Sequence, residues 1–295
     1  MRVIFVAAGP KEWGSSRMRA WWVAPYMDNA EVIQYGQPIP TTADAYIWQK
    51  MVNMEVVEAT PHARHVWDVC DPAWWWEPQQ CLEIAAAVDS VVASSEALAS
   101  DFYQWHSSCV TLSQDKRYVH TIPDRLELSH FTHQRQHADV SPVRFIWFGV
   151  AVNRIALYAA VANLERLAAN GYKIELTVMD DRPDVPFRIT DSFPIYNVPW
   201  RLDREVEVLS NHDIALLPPY PGAWGKVKSN NKLITAALCG LATLGHKGND
   251  HYHTFEQYVK DVNVRYGMAR GARGNAVKYR DVRQSAAEWE TILNG

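Results

Sequence analysis

Short apolar runs recur along the chain. Each closes on a glycine, proline or polar break and gives way to a stretch of helical period. In the first half the runs are Arg2–Ala8, Glu31–Tyr35, Ala45–Gln49, Arg64–Val69 and Asp89–Ser94. In the second they are Val143–Phe148, Ile174–Met179, Phe193–Val198, Ile214–Leu217 and Leu241–Leu244. Runs this short and this continuous read as buried strands. Between them the spacing predicts helices over Met18–Met27, Gln80–Val88, Glu96–Trp105, Asn153–Asn170 and Asp203–Asn211, and one that opens at Ser229 and stops at Gly240. Terminal helices follow over Phe255–Val262 and Ala286–Leu293. Alternating strand and helix through both halves predicts parallel α/β sheets.

Length and composition narrow this. At 295 residues, 48% of them hydrophobic and 21% charged, the chain can bury two cores. The polar, His-rich stretch His130–Ser141 reads as the link between them. The run Val3–Ala8 is too short to span a membrane. Four cysteines without a CxxC pair suit a reducing, cytoplasmic setting. The net charge of −4 is uneven. Residues 1–140 hold 10 basic and 17 acidic side chains, net −7, and the remainder is net +3. Seven basic residues fall within Lys260–Arg283 against Asp261 and Asp281, which reads as a solvated face or a contact for phosphates.

The chemistry concentrates in Asp213–His246. A strand runs into a loop with Pro221, Gly222, Trp224 and Gly225. Lys226, Lys228 and Lys232 then surround a helix start that Ser229 is placed to cap. Unpaired N–H groups and the partial positive charge of a helix N-terminus favour an anion, and a diphosphate suits such a site. A second loop, Gly14-Ser15-Ser16-Arg17, follows the first strand, where doubly wound sheets bring anions close. No GxGxxG fingerprint is present, which disfavours a dinucleotide-dependent epimerase or dehydrogenase. Asp68 and Asp71 fall at or just past a strand end, the ligand-bearing edge of open sheets. Trp74, Trp75 and Trp76 cannot all face one core, and flat aromatic faces hold sugar rings and bases. No histidine or acidic cluster has metal-ligand spacing.

The motifs DIALLP, a Trp-bearing loop, KSNNKL and CGLATL resemble the donor-site segment of GT-B glycosyltransferases, closest to glycosyltransferase family 4. DAYIWQK, DVCDP, DSVVASSEALASDF and Val119–Phe131 are similar to further segments of that family. The resemblance implies two Rossmann-like domains facing a central cleft. Residues 1–138 would bind the acceptor and 139–280 the nucleotide-sugar donor, with 281–295 a helix crossing back to the first domain. It implies donor contacts from Gly14, Ser16, Gly149, Trp200, Trp224, Ser229, Lys232 and Thr235. It implies catalytic roles for Arg17, Asp68, Asp71 and Lys228, and an acceptor surface at Trp74, Trp75 and Trp76. Where the family places a ribose-binding Glu, this chain has Thr235.

The expectation is a retaining, metal-independent transfer from a UDP- or GDP-linked sugar. The nucleotide sugar would be a co-substrate, with no other cofactor. The acceptor would be a glycan or small molecule. One alternative is a hydroxymethylated base in DNA, which an enzyme must extrude to reach. The other is a binding module that has lost turnover, a possibility opened by Thr235.

Overall fold

The structure is a computed structural model and describes residues 1–109, 118–245 and 251–295. His246, at the end of the motif-bearing stretch, lies outside the described residues. The chain forms two compact units, each built on one parallel sheet.

The first unit comprises Met1–Glu127, Ala223–Ser229 and Asp281–Gly295. Its strands are β1 Val3–Ala7, β2 Ala30–Gln34, β3 Ala45–Gln49, β4 Arg64–Val69, β5 Ser90–Ala93 and β6 Val119–Thr121, ordered β2-β1-β3-β4-β5-β6. Val3 pairs with Ala30 on one side and Ala45 on the other, so the order reverses between β1 and β3. Every residue of β1 and β3 is buried, because helices cover both faces of a parallel sheet. That is why these strands read as unbroken apolar runs. The helix Val282–Asn294 buries Val282, Ser285, Ala286, Trp289 and Leu293 in this unit, with Trp289 set edge-on to Phe5 at 6.0 Å. The chain thus returns to the first unit at its end.

The second unit comprises Leu128–Gly222 and Asn230–Arg280. Its strands are β7 Val143–Gly149, β8 Ile174–Asp180, β9 Ile195–Pro199, β10 Ile214–Leu216 and β11 Ala242–Leu244, ordered β11-β10-β7-β8-β9. Counted from β7, this is the Rossmann strand order, with its reversal between β7 and β10. Phe145, Trp147, Leu176, Val178, Ile214 and Leu216 form its centre.

Several elements differ from their expectation. The stretch His130–Ser141 is no loose link. Arg135 donates its N–H to Cys239 O at 2.7 Å and its guanidinium to Asp213, and Arg265 reaches Ala138 O at 3.2 Å. This stretch is therefore tied into the second unit. Met18–Met27 is not one helix. Trp22 N–H bonds Arg17 O, five residues back, in a π-type turn, and a 3₁₀ turn over Ala24–Tyr26 carries Pro25, whose ring permits no continuing ladder. The expected helix Phe255–Val262 is two helices, Tyr252–Lys260 and Val262–Tyr279, broken where Asp261 caps the second. A helix over Met54–Ala59 escaped the sequence reading. Segment Ala223–Ser229, expected within the donor domain, packs in the first unit because Val227 and Trp224 join its core.

Candidate functional site

In the first unit the sequence-derived residues gather at the C-terminal ends of β1, β3 and β4, where open parallel sheets receive ligands. The loop after β1 is tied to the end of β3. Ala8 N–H donates to Gln49 Oε1 at 2.8 Å, Ser16 Oγ donates to the same oxygen at 2.9 Å, and Gly9 N–H donates to Ser16 Oγ at 3.1 Å. Gly9 is required there. A Cβ on it would lie 2.3 Å from the Trp13 ring. Gly14 opens the turn that follows. Arg17, expected at the donor phosphates, is buried. It donates to Glu12 O at 3.0 Å and to Lys11 O at 3.3 Å, with its guanidinium 5.1 Å from the Trp22 ring. These bonds brace the loop.

Asp68 is also internal, and so not an open carboxylate for an acceptor. Arg19, which sequence reading missed, grips it from Nε at 2.8 Å and Nη2 at 2.5 Å. Arg19 Nη1 also reaches Ile122 O at 2.7 Å and Asp124 at 3.1 Å. Burial pushes the Asp68 carboxyl up, and the Arg19 guanidinium opposes that shift. Removing one partner of so buried a pair costs about 3–5 kcal/mol. The pair fixes the end of β4. No local pattern marks Arg19, because its partners come from two distant segments, the end of β4 and Ile122–Asp124.

Asp71 remains at the surface of this edge, bonded by Lys50 Nζ at 2.7 Å and by Lys228 Nζ. Burial raises its carboxyl, but Lys50 and then Lys228 outweigh burial and hold it below the ordinary carboxylate range. Ser229 does not cap the next helix as expected. Its hydroxyl donates to Asp124 Oδ2, and Asn230 takes the N-cap place without a side-chain bond. Lys50 has a φ of +66°. A side chain held in that region costs about 1–3 kcal/mol.

The three tryptophans separate. Trp74 is buried, with its ring 5.1 Å from Phe102 and its Nε1–H on Asp101 at 2.8 Å, so it is a core residue and not an acceptor surface. Trp75 is partly exposed and shares Asp101. Trp76 is 52% exposed and lies 6.0 Å from Trp224, over which Lys228 Nζ sits at 4.6 Å.

In the second unit the reversal point of the sheet carries Gly149, at the end of β7. Lys232, in the first turn of the helix Asn231–Leu238, lies against it. A Cβ on Gly149 would stand 2.3 Å from Lys232 Nζ and 2.9 Å from its Cε. The ammonium also sits 4.7 Å above the Trp147 ring. Thr235, one turn further along, is buried and uncharged. Trp200 is half-buried, with its N–H on Asp180 O at 2.8 Å and its indole on Glu205 at 2.8 Å. The result is a bare glycine backbone beneath a held cation, a geometry that accepts a phosphate oxygen.

Comparison with solved structures identifies the architecture. Anabaena Alr3699/HepE, solved with UDP and glucose, superposes with a TM-score of 0.70 at 12% identity over 100% of this chain and 99% of its own. An alpha-glucosyltransferase solved with UDP-glucose and DNA containing an abasic site gives 0.71 at 12% identity over 99% of both chains. S. aureus TarM, solved as a G117R mutant with UDP, gives 0.60 at 12% identity over 85% of this chain and 55% of its own. No protein-family model matches the chain, and no curated protein matches it by sequence. The chain has the GT-B fold.

Proposed function

We propose that this GT-B chain is a glycosyltransferase that moves a sugar from a UDP-linked donor to a hydroxyl acceptor. One observation carries the reading: Lys232 docked over Gly149 at the reversal point of a Rossmann-ordered sheet. Breaking the C1–O–phosphate bond leaves charge on the departing diphosphate, and fixed cations and helix N–H groups stabilise it without reorganising. Lys232 supplies one such cation, beside the N–H groups that open its own helix. The neighbours that match along their whole length were solved with UDP or UDP-glucose, which supports uridine as the base. Net retention and independence from a metal ion belong to this reading. In a retaining transfer the leaving phosphate can itself take the acceptor proton, so no general base is required. Asp68, held by Arg19, then serves structure, and Asp71 serves its two lysines.

A second reading takes DNA as the acceptor. It is favoured by the full-length match to structures solved with DNA. The helix Val262–Tyr279 also holds no carboxylate and carries Arg270, Arg273 and Lys278. The test is a thermal-shift and turnover screen of nucleoside diphosphates and their sugars. A ligand at about 100 times its dissociation constant adds about 2.7 kcal/mol to the folded state. UDP is expected to stabilise the chain and a UDP-sugar to be consumed in the presence of an acceptor. Turnover on hydroxymethylated DNA that falls steeply with salt selects the second reading. Absence of any UDP response rejects both.

A further inference from the structure

The ends of β1 and β3 meet where the strand order of the first sheet reverses, the position at which such sheets bind ligands. Two cations gather beside it. Lys50 directly follows β3 and bonds Asp71 Oδ2 at 2.7 Å, while Lys228 takes Asp71 Oδ1. The lysine side chains are 36% and 40% exposed and the aspartate 19%, so the carboxylate lies deeper than the ammonium groups it joins. We infer that Lys50 and Lys228 form a two-cation receptor for a phosphate group of the substrate, with Asp71 as the positioning residue that holds them together.

Charge supports this. Two ammonium groups share one carboxylate; of the three N–H donors on each, Asp71 takes one, and the Cys70 thiol takes a second from Lys50. Cys70 beside them adds no negative charge at neutral pH, because burial pushes its thiol up to about 11. The cluster is therefore net positive and retains unused donors. Lys228 is steadied from one side by the Trp224 ring at 4.6 Å. Lys50 is pinned through its backbone: its N–H bonds Asp68 O at 2.9 Å and its carbonyl accepts Trp67 Nε1–H at 2.9 Å. That backbone is left-handed, at φ +66°. A turn alone is met by glycine or asparagine, as at Asn29 with φ +58°. Only the lysine adds an ammonium. A surface strap between Asp71 and Lys228 would not need Lys50 at all.

The inference rests on the glycosyl-transfer reading for the source of the phosphate: the donor diphosphate, or a phosphodiester of the acceptor. Calorimetry on the full chain separates the sources, with inorganic pyrophosphate, UDP and a DNA duplex as probes. Lys50→Gly keeps the left-handed turn and removes the charge. It is expected to weaken pyrophosphate binding about ten- to a hundredfold, as for a lost charge-assisted contact, with a melting temperature no lower than that of wild type, because glycine meets no strain in this turn. Lys50→Arg should retain most of the affinity. A matching loss for UDP assigns the donor, and a loss for duplex with UDP unaffected assigns the acceptor. If wild type binds pyrophosphate through Lys50 but ignores UDP, the donor reading falls and the phosphate site stands. If Lys50→Gly binds all three probes as wild type does, or wild type binds none, the receptor is refuted.

Discussion

Replacing Gly149 by alanine separates binding from folding. The new Cβ would lie 2.3 Å from Lys232 Nζ and 2.9 Å from Cε, with Trp147 no closer than 3.4 Å. An ordinary contact begins near 3.4 Å, so the ammonium must retreat by about 1 Å. The atoms displaced are the end of a flexible side chain, so the fold yields locally. With φ at +155° the alanine also adds about 1–2 kcal/mol of strain, a few degrees of melting temperature. A charge-assisted hydrogen bond to phosphate contributes about 1.5–3 kcal/mol. Misplacing it by an ångström should weaken UDP binding by about one to two orders of magnitude. Calorimetric titration of UDP into wild type, Gly149→Ala, Lys232→Ala and the double variant measures this. The two losses should not add, because Lys232→Ala removes the atoms that the Cβ would meet. Wild-type affinity in Gly149→Ala, or additive losses in the double variant, would refute the phosphate role of this pair.

Three further outcomes follow from the packing. His212 is buried, donates Nδ1–H to Val208 O at 2.7 Å and accepts from Thr177 Oγ1 at 2.8 Å, and burial pushes it down to about 4. The unfolded chain binds its proton first, so this stability is complete above about pH 6.5 and is lost as pH falls toward 4. The loss is worth about 3 kcal/mol at one 1.36 kcal/mol step per unit. Urea midpoints of His212→Gln and wild type should converge over that range, and a His212 ring titrating near 6.5 by NMR would contradict it. Gly267, Gly271 and Gly274 are exposed inside the helix Val262–Tyr279 with open space at each Cβ. Changing all three to alanine should stabilise the chain by about 2–3 kcal/mol in chemical denaturation. Trp74→Ala should cost about 3–5 kcal/mol, whereas Trp76→Ala should stay within about 0.5 kcal/mol; equal losses would contradict their different burial.

The sequence alone determined the α/β class and ten of the eleven described strands; β6, the half-buried Val119–Thr121 at the sheet edge, is not one of its apolar runs. Fully buried parallel strands are written as uninterrupted apolar runs such as Val3–Ala7 and Ala45–Gln49, a local signal. It also marked the strand ends at which Asp71 lies in the first unit and Gly149 in the second, because strand ends and glycine breaks are local too. The tertiary structure alone decided which charges face which. Arg19 and Asp68 look like surface residues until the fold closes Ile122 and Asp124 around them. Ser229 has the composition of a helix cap, yet bonds Asp124 because Val227 draws its segment into the first unit's core. Lys50 ends the motif DAYIWQK, but its left-handed backbone and shared carboxylate exist only once β3, β4 and segment 223–229 are packed together. Periodicity records what each residue buries. The partner that satisfies a buried charge is set by contacts far apart in the chain, which no local pattern encodes.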